Sequence, residues 1–198
     1  MKVLIINGSP RKGGNTETAL AEMTKIFDSE GIAWEMINVG AKPVGGCMAC
    51  GKCRELGKCV MDDMVNEAAE KLDGCDGLVV GSPVHYAMPG GNLVSFMQRL
   101  FYSSGSVDKR MKVGASIVSA RRAGTTASFD DLNKFFTISQ MPVASGRYWN
   151  NVYGACPGEC VSDEEGLQNA RVVARNMVFL MRAIADAKEN TVFRKRKT

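Results

Sequence analysis

The chain of 198 residues lacks the usual signatures of a nucleotide-binding loop: it has no GxGxxG string and no GxxxxGK[ST] string. That excludes the dinucleotide fingerprint and the Walker loop. It lacks any apolar run near the length that crosses a bilayer, and no charged-then-apolar leader precedes its first apolar stretch, so the expectation is a cytoplasmic protein without a membrane partner. It lacks an even set of cysteines: the seven thiols at Cys47, Cys50, Cys53, Cys59, Cys75, Cys156 and Cys160 do not read as a disulfide framework. It also lacks a distributed basic charge. The formal net charge is +4, and Arg194, Lys195, Arg196 and Lys197 alone supply that amount, leaving the body balanced. A terminal charge run of this kind is a solvated tail, which argues against a nucleic-acid partner. No internal repeat or low-complexity segment is visible. The length and 45% hydrophobic content suit one well-buried domain over residues 1–189 with a basic tail at 190–198.

What the chain does have is alternation. Apolar runs at Val3–Ile6, Trp34–Val39, Leu78–Val80 and Val113–Val118 read as strands, with a weaker fifth at Pro142–Ala144. Between them lie helical patterns: one capped by Asn15 or Thr16 and stopped at Gly31, one from Asp62 or Asp63 to Leu72, one over Asn92–Tyr102, one over Thr125–Phe136. A long last helix capped by Ser162 runs to about Ala187. Strands alternating with helices predict right-handed crossovers and a mostly parallel sheet covered on both faces. In such sheets a ligand sits outside the carboxyl ends of the strands, where the topology switches. Three loops meet that rule, after Ile6, after Gly81 and after Ser119.

The first, Gly8-Ser9-Pro10-Arg11-Lys12-Gly13-Gly14-Asn15-Thr16, follows a buried strand and opens a helix. Glycines allow close backbone approach; Ser9, Asn15 and Thr16 supply side-chain donors and Arg11 a charge, and no acid occurs before Glu17. These are the requirements of a phosphate held at a helix N-terminus. The second, Gly81 to Asn92, combines Pro83 and Pro89 with apolar and aromatic groups that suit a planar ring. The third, Ser119 to Thr126, contributes Arg121 and Arg122.

Taken together, these loops resemble those of the flavodoxin-like NADPH-dependent FMN reductases over most of residues 1–130. The resemblance implies an α/β three-layer sandwich with a five-stranded parallel sheet in the order 2-1-3-4-5. It implies FMN as cofactor, with Ser9, Arg11, Asn15 and Thr16 around the phosphate. Pro83, Val84, His85, Tyr86 and Met88, with Ala120, Arg121, Arg122 and Gly124, would hold the ring. His85 is the only histidine. Hydride transfer to a flavin needs placement rather than a protein base, so its expected role is positional. The resemblance further implies NAD(P)H as hydride donor, a small-molecule electron acceptor, and a homodimer or homotetramer.

The long connection from Pro43 to Val60 carries Cys47-x2-Cys50-x2-Cys53-x5-Cys59. Thiolates at such intervals can wrap a cluster, although the last gap is longer than in bacterial ferredoxins and Val60 stands where their proline would be. The spacing resembles the compact motif of the iron-sulfur flavoproteins, which implies a 4Fe-4S cluster on these four residues and ferredoxin as a partner. Metal-free thiols and zinc stand as alternatives. Cys156 and Cys160 are candidates for a redox pair or an added ligand, Cys75 for packing. Tyr148, Trp149, Tyr153, Phe135 and Phe136 are candidates for core packing or for a roof over a flavin.

Overall fold

In the computed structural model, residues 1–190 are described; the basic run at 191–198 expected from the sequence lies outside them. Strand β1 (Lys2–Asn7) leads into helix α1 (Asn15–Ser29), followed by β2 (Ala33–Asn38), the one-turn α2 (Cys53–Leu56) and α3 (Met64–Asp73). Strand β3 (Gly77–His85) turns back as the two-residue β4 (Met88–Pro89), then come α4 (Gly91–Ser103), β5 (Val113–Ala120), α5 (Thr125–Ile138), β6 (Asn151–Tyr153) and α6 (Glu164–Asn190).

The sheet order is β2-β1-β3-β5-β6, with β4 antiparallel on the end of β3. All other pairings are parallel; β1 lies between β2 (Lys2 opposite Ala33) and β3 (Val3 opposite Gly77), and Gly77 of β3 faces Val113 of β5. Skipping the two residues of β4, this is the expected order. Both faces of the sheet are buried, which is why its central strands are continuous apolar runs rather than alternating ones. Successive side chains of β1 still go to opposite layers. Val3 and Ile5 pack with α1 and α6 through Leu20, Phe27, Val173 and Met177. Leu4 and Ile6 pack with α3, α4 and α5 through Leu72, Phe96, Leu100 and Phe136.

Three boundaries differ from the expectation. The fifth strand is Asn151–Tyr153, beside Val118–Ala120, whereas Pro142–Ala144 forms only one bridge, Val143 to Gly114. Pro142 has no N–H to extend a ladder, and the chain leaves the sheet after Ala144 N donates to Gly114 O at 2.8 Å. Gly14, not Asn15 or Thr16, occupies the N-cap of α1, with no side-chain cap. Of the two expected candidates it is Asp63 that caps α3, as its carboxylate accepts from Val65 N. Asp163, not Ser162, caps α6, its Oδ1 accepting from Gly166 N at 2.9 Å. No described helix is long and apolar enough to cross a membrane.

Candidate functional site

A cleft opens at the carboxyl ends of β1, β3, β5 and β6, where doubly wound sheets bind their ligands. Its floor is the loop after β1. Asn7 ends the strand and folds the chain back, its Oδ1 accepting from Ser9 N at 3.0 Å, and Ser9 Oγ in turn accepts from Arg11 N at 3.2 Å. Gly13 adopts φ 65°, and its N–H is taken by Glu17 Oε2 at 2.7 Å. Since no side chain caps α1, the backbone donors of its first turn are left to the cleft that Gly14, Asn15 and Thr16 line. Unsatisfied donors at the positive end of a 15-residue helix dipole form an anion cradle.

The loop is held from two sides. Thr16 Oγ1 and Ser119 Oγ lie 2.7 Å apart, joining α1 to the end of β5. Asn15 reaches across to the loop after β6: its Nδ2 donates to Gly154 O at 2.9 Å and its Oδ1 accepts from Cys160 N at 3.1 Å. Beneath it, Gly40 lies so close that a Cβ would sit 2.2 Å from Ser9 C and 2.3 Å from Gly8 O.

Of the expected site residues, Ser9, Arg11, Asn15, Thr16, Pro83, Val84, His85, Ala120 and Arg121 line this cleft together. Tyr86, Met88, Arg122 and Gly124 are not among its walls. Tyr86 and Ala87 form the two-residue turn between β3 and β4, both with positive φ (52° and 59°), and Tyr86 is fully exposed. Met88 faces a separate groove with Phe135 and Ile138. Gly124, at φ 89°, supports that turn from below: a Cβ there would lie 2.7 Å from Ala87 Cα. Sequence reasoning missed Gly154, Ala155 and Pro157, which close the cleft after β6. The signal in the sequence is the Gly-x-x-Pro-Gly run from Gly154 to Gly158. The five aromatic residues do not form one roof. Phe136 is core, Phe135 packs on Phe101 at 5.4 Å between centroids, and Tyr148 meets Trp149 edge-on.

A second hollow brings Cys47, Cys50, Cys53 and Cys59 into one lining with Met48, Met61, Arg99, Tyr102 and Ser103. The loop bends through Ala49, Gly51 and Gly57, all at positive φ, and Cys53 starts α2, with Gly57 N donating back to its carbonyl at 3.0 Å. Cys59 is held most firmly. Asn66 brackets its backbone, Oδ1 accepting from Cys59 N at 2.9 Å and Nδ2 donating to Cys59 O at 3.0 Å. Arg99, 1% exposed, donates through one guanidinium nitrogen to Cys59 Sγ at 3.2 Å. The fork grips Asp63 at 2.6 and 3.0 Å, a bidentate arrangement. Burial pushes the Asp63 carboxyl up, but the bonds from Arg99 and Val65 N outweigh it and hold the net value below the usual range. Among the described residues, no three His, Cys, Asp or Glu side chains lie close enough to hold a single metal ion. Four cysteines lining one hollow are the donor set that a four-iron cluster takes. The remaining thiols stand apart: Cys160 and Cys75 are buried, Cys156 is exposed, and no disulfide links the described cysteines.

A doubly wound parallel sheet with an anion cradle after its first strand defines a flavodoxin-like α/β protein. Residues 1–154 match the family model described as NADPH-dependent FMN reductase, and the chain belongs to that family, as an FMN-dependent oxidoreductase. Within it the chain is 31% identical over 191 residues to an iron-sulfur flavoprotein of Methanocaldococcus jannaschii, covering 93% of this chain and 99% of the relative. The iron-sulfur flavoprotein of Methanosarcina thermophila is 28% identical, covering 93% and 97%. Among solved structures, RosB with bound 8-demethyl-8-formylriboflavin-5'-phosphate superposes with TM-score 0.73 at 17% identity, covering 100% of this chain and 91% of that one.

Proposed function

We propose that this chain is a two-centre electron-transfer flavoprotein, with FMN in the cleft and a 4Fe-4S cluster on Cys47, Cys50, Cys53 and Cys59. One observation carries the reading: the four thiols of the long loop line a single hollow beside an arginine. The names of the relatives, iron-sulfur flavoproteins, support it.

Bound in the cleft, FMN would exchange electrons singly or as a hydride; the chain's own residues place it. Ser9 and the uncapped backbone N–H groups of Asn15 and Thr16 take the phosphate, the side chains of the last two being committed to Gly154, Cys160 and Ser119, and Arg11 adds charge. Pro83, Val84 and His85 on one side, Ala120 and Arg121 on the other, flank the ring, and Gly154 with Pro157 closes the far wall. Arg121 supplies positive charge on the ring side, where a reduced flavin would be anionic. A bound cluster would supply one-electron chemistry. Cys59 anchors its site because Asn66 and Arg99 fix both its backbone and its sulfur.

In this role the electrons enter from a reduced ferredoxin and leave to a small-molecule acceptor, and the protein works as a homodimer or homotetramer. A second reading rests on the family's description: hydride enters from NAD(P)H at the flavin directly, and the cysteines remain thiols. Anaerobic reconstitution followed by iron and sulfide analysis separates them, with four irons per chain expected. Near-zero iron would overturn the two-centre reading. Anaerobic mixing then names the donor: reduced ferredoxin should bleach bound FMN, and bleaching by NADPH alone would establish the second reading.

A further inference from the structure

The guanidinium of Arg99 is placed differently from an ordinary buried ion pair. Its two terminal nitrogens are satisfied, by Asp63, by Met61 O at 3.3 Å, by Gly45 O at 3.4 Å and by Cys59 Sγ. Its Nε, however, is buried with no partner. One turn further along α4, Ser103 is 4% exposed and its hydroxyl is also without a partner. A helical serine ordinarily bonds back to the carbonyl four residues earlier, which here is that of Arg99 itself. Leaving such groups unmet inside a protein is destabilising. Both residues line the hollow that the four cysteines share. A packing arginine would need only Asp63 and the carbonyls. Two spare donors beside four thiols are the equipment of a site for a sulfur-rich anion.

We propose that Arg99 and Ser103 are positioning residues of the thiolate site: they hydrogen-bond its sulfur atoms, fix Cys59, and raise the reduction potential of the group bound there. The inference rests on the two-centre reading above. Its physics is direct. Reduction adds negative charge, donors and a nearby cation stabilise the more negative state, and hydrogen bonds to sulfur are among the main determinants of such potentials. Asp63 offsets part of the arginine's charge, so the N–H and O–H donors carry the effect.

The test uses the full chain reconstituted anaerobically with iron and sulfide, as wild type, Ser103→Ala, Arg99→Lys and the double variant Asp63→Asn/Arg99→Gln. The double variant removes both charges together, so neither is left buried alone. Ser103→Ala removes an unbonded hydroxyl and should fold as the wild type does. Iron content is measured first, then the oxidised-to-reduced ratio of the cluster at fixed potential, read by electron paramagnetic resonance. The double variant should shift that ratio toward oxidised by about tenfold, 59 mV for a one-electron couple. Ser103→Ala should shift it the same way by about threefold, and Arg99→Lys, which keeps charge but loses the fork, should lie between wild type and the double variant. Loaded variants that keep the wild-type ratio overturn the proposal and leave the two-centre reading standing. If the double variant fails to fold, Ser103→Ala alone decides. A wild type that takes up no iron overturns both.

Discussion

Gly40→Ala is the sharpest test of the phosphate cradle. A Cβ at this position would meet Ser9 C at 2.2 Å, Gly8 O at 2.3 Å and Pro10 N at 2.5 Å, all backbone atoms of the loop after β1. Carbon pairs rest near 3.5 Å, so the two segments must part by about 1.3 Å. No rotamer relieves a clash with backbone, which places the stability cost at the upper end of the roughly 1–3 kcal/mol typical of overpacking. The cleft suffers separately. Hydrogen bonds to a charged group are worth about 1.5–3 kcal/mol each, and moving the loop by more than an ångström forfeits one or two, weakening FMN by about a hundredfold. The assay is chemical denaturation with and without FMN. At FMN one hundred times its dissociation constant the wild type gains about 2.7 kcal/mol; the variant at the same concentration should gain only about 0.4 kcal/mol. Gly105→Ala is the control, because a Cβ there meets nothing within 4 Å. If Gly40→Ala lowers stability but keeps the full FMN-dependent gain, the loop is a turn and not the phosphate site.

The Thr16–Ser119 hydroxyl pair is buried, so Thr16→Val should cost about 1–3 kcal/mol by stranding Ser119 Oγ, and adding Ser119→Ala should recover part of it in a double-mutant cycle. Gly114→Ala places a Cβ 2.5 Å from the Phe136 ring; urea unfolding should show a loss of about 1–3 kcal/mol, less in a Phe136→Leu background where the ring is gone. Because the folded value of Asp63 is lowered, its contribution is present above the ordinary carboxylate value near 3.9 and is lost as pH falls through the folded value. Asp63→Asn should therefore show a shallower loss of stability below about pH 4 when urea midpoints are compared.

Much of this architecture is legible in the residues because strong local signals agree with the tertiary result. The run Val3–Ile6 is apolar throughout and Val113–Val118 nearly so, because both faces are covered, and the small residues that follow them allow close approach of chain to chain. The edge strand was not legible: Asn151–Tyr153 is three residues long, and Asn150 beside it is buried only because its Nδ2 donates to Ser116 O at 3.0 Å. Polar residues satisfied by a distant backbone carry no periodic signature. The cysteine spacing announced a thiol site, yet the residues that organise it did not stand out. A charged side chain in a helix usually sends its head to water. Arg99 nonetheless follows Phe96 by three positions and Ser103 follows it by seven, on the buried face that Leu93, Phe96 and Leu100 define.

Helix α4 also explains how the two sites share one frame. At its start Gly90 N donates to Ser82 Oγ at 3.0 Å, at the end of the strand that supplies Pro83 and Val84 to the cleft. Asn92 Nδ2 donates to Gly40 O at 3.0 Å, pinning the head of the cysteine loop where Gly40 packs against the loop after β1. Arg99 then pins the loop's other end through Cys59 and Asp63. From Gly91 to Arg99 is about 12 Å along the axis, and the helix between is anchored by the fully buried Leu93, Phe96 and Met97. The connection between Asn38 and Met64 that carries the thiols is thus fastened at both ends to one rigid element. Its apparent freedom in sequence is removed by a helix that contributes no cysteine, and the spacing between cleft and thiol hollow is a property of α4.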